Sequence, residues 1–120
     1  MLNKMMWAIA LWAALAVTNI AFAHSALIFS SPGNNTQLTE SPEAIHLEFN
    51  EDVRLLALEL SGENQGGVEI DFQRNRAATD VFHVDLPHLQ DDTYTITWTL
   101  IGADGHRVSG TILFALNTAE

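Results

Sequence analysis

Apolar and polar residues alternate with a period of two along most of the chain beyond residue 44. Ile45, Leu47 and Phe49 are separated by His46 and Glu48, and Leu56, Leu58 and Leu60 by Ala57 and Glu59. Val68, Ile70 and Phe72 alternate with Glu69 and Asp71, and Phe82, Val84 and Leu86 with Val81, His83 and Asp85. Tyr94, Ile96, Trp98 and Leu100 alternate with four threonines, and Ile112, Phe114 and Leu116 with Thr111, Leu113 and Ala115. Successive side chains of an extended strand point to opposite faces, so this pattern predicts strands with one face buried and one wet. Turn-forming residues punctuate the runs: Ser31-Pro32-Gly33-Asn34-Asn35, Ser61-Gly62-Glu63-Asn64, Gly66-Gly67, Gln90-Asp91-Asp92 and Gly102-Ala103-Asp104-Gly105. With Ala26–Ser30 added, about seven short strands result and no amphipathic helix, which predicts an all-β chain, a single antiparallel β-sandwich of the immunoglobulin type. The segment Leu89–Tyr94 fits a tyrosine corner, in which the phenol bonds back to the backbone a few residues upstream.

The first 23 residues follow a different rule. Lys4 precedes an apolar run from Met5 to Val17, Thr18 and Asn19 interrupt it, and Ala21-x-Ala23 offers the small residues that signal peptidase requires. This order predicts a cleaved signal peptide over residues 1–23 and a mature domain over 24–120. The apolar run is short for a membrane anchor, which needs about 20 residues, so no insertion of the mature chain in a membrane is expected. Cleavage removes the only lysine and all three methionines, leaving four arginines against fifteen carboxylates and a formal charge of −11. Such a surface repels phosphate backbones and anionic lipid heads, which argues against nucleic-acid and membrane-surface binding. There is no cysteine, so the mature chain contains no sulfur and holds together without disulfides.

The alternation also sorts the five histidines. His46 and His83 lie on the polar phase of their strands among Glu48 and Asp85 and read as solvated sheet-face residues. His88 lies in a turn ahead of the tyrosine corner and reads as a surface residue. Trp98 lies on the apolar phase and reads as core. Asp104 and His106 are two residues apart, and in extended backbone they project to one side, with Gly105 leaving the approach open. Such a pair is either half of a metal site or a hydrogen-bonded pair that stabilises a turn.

His24 adds to that pair. Cleavage after Ala23 leaves it at the mature amino terminus, where the amine and the ring Nδ1 close a chelate on one ion, the arrangement called a histidine brace. The amine's ordinary pKa of roughly 7.7–8.0 lets a polarising ion displace its proton near neutral pH. His24, Asp104 and His106 together offer three nitrogens and one oxygen, a set that suits one Cu(II) ion, with Zn(II) a weaker competitor. The missing sulfur donors are those that Cu(I) favours.

With these residues in view, the chain resembles the CopC family of small periplasmic copper-binding proteins of bacterial copper resistance and homeostasis. The resemblance covers essentially the whole mature chain. His24-Ser-Ala-Leu27 followed by Ser31-Pro32 resembles the family's His-Ala-x-Leu start and Ser-x-Pro turn, and Ile45–Val53 resembles its apolar-x-Leu-x-Phe-Ser-x-x-Val strand. Thr93-Tyr-Thr-Ile-Thr-Trp98, Ala103-Asp-Gly-His106, Gly110 and Phe114 resemble the Tyr-x-Val-x-Trp, Asp-Gly-His and Gly-x-x-x-Phe succession. The resemblance implies a Greek-key β-sandwich, a Cu(II) site on His24, Asp104 and His106, and exchange of copper with an inner-membrane CopD-type partner or another copper-resistance protein. Some members carry a Met-rich Cu(I) site, for which this mature chain has no methionine. Other departures are Gly102 where Ser is common, Thr99 where Arg commonly follows the tryptophan, and Asp92 in place of the Gly before Thr-Tyr.

The expected function is therefore a non-enzymatic periplasmic Cu(II) carrier. Histidine braces also serve copper oxygenases that act on polysaccharides, but those need a broad aromatic binding face, and here the mature aromatics lie mostly in core phase. A metal-free immunoglobulin-like interaction module is the third reading, since sandwiches host many functions. It leaves the position of His24 against the cleavage signal as coincidence. No nucleophile triad, paired-carboxylate cleft or phosphate-binding glycine loop is visible; Gly66-Gly67 reads as a turn.

Overall fold

Seven strands carry the alternation into three dimensions: β1 (Leu27–Ser31), β2 (Thr36–Leu38), β3 (Ala44–Gly62), β4 (Gly66–Val68), β5 (Thr79–Asp85), β6 (Asp92–Ile101) and β7 (Arg107–Leu116). The structure, a computed structural model, describes residues 25–119, so the signal peptide expected over residues 1–23 and His24 itself lie outside the described residues. Among the described residues every regular element is a strand.

Two sheets share β3. Its first half pairs antiparallel with β1 on one side and β5 on the other. Its second half pairs antiparallel with β4 and β6, and β6 continues to β7, against which β2 lies parallel. The change of sheet falls at Asn50-Glu51-Asp52, where three polar residues interrupt the apolar alternation and the pairing with β5 shifts register between Glu48 and Val53. Bulges of this kind bend a strand and increase its twist, which lets one strand serve two layers.

The apolar phases of both sheets meet in one core. Ile45, Leu47 and Phe49 of β3 and Phe82 and Val84 of β5 face Tyr94, Ile96, Trp98 and Leu100 of β6 and Ile112, Phe114 and Leu116 of β7, all of them buried. Phe49 meets Trp98 edge-on across the layers at 5.3 Å, and Tyr94 stacks on Phe114 at 5.2 Å. Burying one such side chain contributes roughly 1.5–3 kcal/mol. Trp98 is core, as its phase predicts. Gly110 stands opposite it in register because a Cβ there would overlap the indole. The tyrosine corner is present too: Tyr94 Oη donates to the Gln90 carbonyl and accepts from Gln65 Nε2 at 2.6 Å.

Several details of the strand reading need correction: the runs Ile45–Phe49 and Leu56–Leu60 are two halves of one strand, β3, and Thr36–Leu38, which the alternation did not mark, is a strand parallel to β7 in a sandwich expected to be antiparallel. Leu55, not Leu56, is the buried residue of β3 at that point, because a register shift between Leu55 and Ala57 inverts the phase before Leu58. The strand expected over Val68–Phe72 ends at Val68; Ile70 and Phe72 pack on the core without joining a ladder. Asp92, the departure beside Thr-Tyr, is buried and holds the β3–β4 turn. Its carboxylate accepts from the backbone N–H of Asn64, Gln65 and Thr93 and from Asn64 Nδ2. Burial by itself would push this carboxyl up, but the N–H donors of Gln65, Thr93 and Asn64 together outweigh it and hold the group below its usual value.

Candidate metal centre

The loop joining β6 to β7 is closed by its own backbone. Gly102 N–H donates to the His106 carbonyl at 2.9 Å, and Gly105 N–H donates to the Gly102 carbonyl at 3.0 Å, a tight turn on the last rung Ile101–Arg107. Gly105 has φ +83°, the left-handed region that a residue with a Cβ rarely enters. Asp104 and His106 therefore meet through a turn and not through the extended backbone that the spacing suggests. Asp104 Oδ1 accepts the His106 backbone N–H at 3.0 Å, a local side-chain turn, and Oδ2 faces His106 Nδ1 at 2.9 Å.

Both side chains stand open to solvent. The hydrogen bond from the His106 ring, then its backbone N–H, hold the Asp104 carboxyl below its usual value against a small opposing effect of burial. The same hydrogen bond and the nearby negative charge raise the His106 imidazole above 6.5. This spacing also fits a shared ion. At the right angle of a tetragonal site, two donors each about 2.0 Å from one metal lie about 2.8 Å apart, close to the 2.9 Å between Oδ2 and Nδ1. An ion bound to both would displace the ring proton of Nδ1, with the imidazole turning so that its lone pair points at the ion.

The first described residues arrive beside this loop. Ser25 is buried, and its hydroxyl sits where a Cβ of Gly102 would go, while Asp104 Oδ1 would lie 3.2 Å from that Cβ. The glycine at 102 is thus explained: a serine there and Ser25 cannot both occupy the space as it stands. The segment is tied down from the other side by the polar triplet of β3. Ser25 Oγ donates to Glu51 Oε1, Ala26 N–H donates to Asn50 Oδ1 at 2.8 Å, and the Ala26 carbonyl accepts Asn50 N–H at 3.0 Å. Residues 25 and 26 are therefore held at the end of the sandwich that carries Asp104 and His106. The positioning role of Asn50 and Glu51 was not read from sequence; the signal was their interruption of an otherwise apolar alternation.

Among the described residues no three His, Asp or Glu side chains gather to hold one ion. Asp104 and His106 supply two donors, and His24, the third residue of the expected set, lies outside the described residues. His46 and His83 lie on the outer face of the β1–β3–β5 sheet and His88 in an exposed turn, none of them at this loop.

A model of the CopC domain matches residues 27–117. The chain is 31% identical over 118 residues to a copper transport protein, CutJ, of Bacillus subtilis, covering 95% of this chain and 22% of that protein. It thus spans about a fifth of that relative's length. It is 29% identical to protein YobA of Escherichia coli, covering 95% of both chains. The crystal structure of CopC from Methylosinus trichosporium OB3b superposes with a TM-score of 0.63 at 23% identity, covering 78% of this chain and 94% of that one, a likeness of fold.

Proposed function

Because this chain belongs to the CopC family, we propose that its exported form is a copper-binding carrier of the periplasm, loaded with one Cu(II) ion. The ligands are the amine and ring of His24, the carboxylate of Asp104 and the imidazole of His106. The reading is supported by copper transport in the name of CutJ. The observation that carries it is the contact of Ser25 with Gly102, which holds the residue after His24 beside the loop of Asp104 and His106.

Each residue then has a part that follows from its chemistry. His24 contributes two nitrogens with a fixed chelate ring once cleavage frees its amine. Asp104 contributes negative charge and an oxygen, and its second oxygen keeps the turn closed on the His106 N–H. His106 contributes the third nitrogen, exposed enough to meet an ion from solvent. With nitrogen and oxygen donors only, the site favours the oxidised ion, and reduction to Cu(I) weakens it. Release on reduction, to a CopD-type membrane partner or another copper-resistance protein, follows as the carrier step. No bond of a substrate is made or broken, and the reading is non-enzymatic.

Three single variants of the exported protein test it by competition with a chelator of known Cu(II) affinity. His24→Ala, Asp104→Asn and His106→Ala should each weaken Cu(II) binding by roughly tenfold or more while the circular dichroism of the sheet stays unchanged. Unaltered affinity in His24→Ala and His106→Ala together would leave only an acidic sandwich of the same fold.

A further inference from the structure

A second pair of histidines lies away from the loop of Asp104 and His106. His46 of β3 and His83 of β5 are direct partners in the antiparallel ladder, and their side chains share the outer face of that sheet. Directly opposed residues on one face are the closest cross-strand neighbours, and the two ring centroids are 6.1 Å apart. Each ring faces a carboxylate two residues along its own strand: His46 Nε2 lies 3.0 Å from Glu48 Oε2, and His83 Nε2 lies 3.6 Å from Asp85 Oδ1. The Glu48 carboxylate, within hydrogen-bond distance of His46 Nε2, holds the proton there and leaves that ring's Nδ1 lone pair as the acceptor. Phe29 walls the other side, its ring 5.9 Å from that of His46.

We propose that His46 and His83 form a second, surface site for a divalent cation of borderline softness, Cu(II) or Zn(II), held by the two imidazoles with water completing its shell. Glu48 acts as a positioning residue that sets the His46 tautomer, and Asp85 adds negative charge beside His83. Two imidazoles on one ion, at metal–nitrogen distances of about 2.0–2.1 Å, have centroids roughly 4.5–6 Å apart. The 6.1 Å between the centroids stands just outside that range, and His83, with 62% of its side chain exposed, is free to turn toward His46. Two protein donors make the site weaker than one with four, so it fills only when the ion is abundant. It does not depend on the site proposed at His24, Asp104 and His106.

The test uses the exported protein and Zn(II), which leaves NMR signals sharp. Added Zn(II) should shift the ring resonances of His46 and His83 together, and His46→Gln or His83→Gln should each weaken that binding at least about tenfold. His106→Ala should retain it, which separates this site from the first. Both substitutions lie on the solvent face, and unchanged circular dichroism shows that the fold is intact. Shifts spread over the acidic surface, binding indifferent to His46→Gln, or loss of the shifts in His106→Ala would each overturn the proposal.

Discussion

Asp104 commits both carboxylate oxygens to one residue, one to the backbone of His106 and one to its ring. The pH dependence of the ion-free protein follows from that pairing. The His106 pKa is raised, so its contribution to stability is complete below about 6.5 and disappears as pH rises through the raised value. The Asp104 pKa is lowered, so its contribution is complete above about 3.8 and disappears as pH falls through the lowered value. The pair supports the loop most between those limits, modestly, because both side chains are exposed and screened by salt. An NMR titration of the ion-free protein should find His106 titrating above 6.5, and Asp104→Asn should bring it back toward that ordinary value. A His106 titration unmoved by that substitution would contradict the pairing. In the proposed site Cu(II) competes with the same proton, so the acid side of copper binding should shift with it.

Elements, not single residues, determine whether the segment at Ser25 reaches the loop. The polar triplet Asn50-Glu51-Asp52 both hands β3 from one sheet to the other and grips Ser25 and Ala26, while Gly102 leaves room for Ser25. Filling that room with Gly102→Ala should displace Ser25 and weaken Cu(II) binding several-fold with little loss of stability. Tyr94→Phe should do the reverse. It removes the bond to the Gln90 carbonyl and leaves Gln65 without its acceptor, at a cost of about 1–3 kcal/mol, and leaves copper affinity unchanged. Thermal unfolding and chelator competition on both variants check this separation; equal copper affinity in Gly102→Ala and the parent protein would contradict the proposed role of the contact.

The sequence is readable at this scale wherever burial and pairing coincide. The threonine-spaced run Tyr94–Leu100 and the run Ile112–Leu116 are long, regular and correctly phased, because both strands keep one face on the core throughout. Alternation reports burial and not ladder bonds, which is why Ile70 and Phe72 imitate a strand while packing on the core from a loop. The phase error at Leu55 and Leu56 has a different origin: a bulge belongs to the pairing of two strands, and one strand's residues do not display it. For the site, Asp104 and His106 are legible because they are close in the chain. The contacts of Ser25 with Glu51 and Gly102 span 26 and 77 residues and need the fold.

At the scale of the whole molecule, a β-sandwich brings one end of β6–β7, the turning point of β3 and the start of β1 to the same place. In the proposed function the sulfur-free, acidic chain left by cleavage presents nitrogen and oxygen donors to a cation at that end. The central claim is that processing turns His24 into a chelating ligand, and its most direct measurement combines the intact mass of the exported protein with its Cu(II) electron paramagnetic resonance spectrum before and after acetylation of the terminal amine. The account predicts a chain beginning at His24, and a spectrum with nitrogen hyperfine structure that is altered and weakened when the amine is blocked. A chain beginning at another residue, or a spectrum indifferent to acetylation, would contradict it.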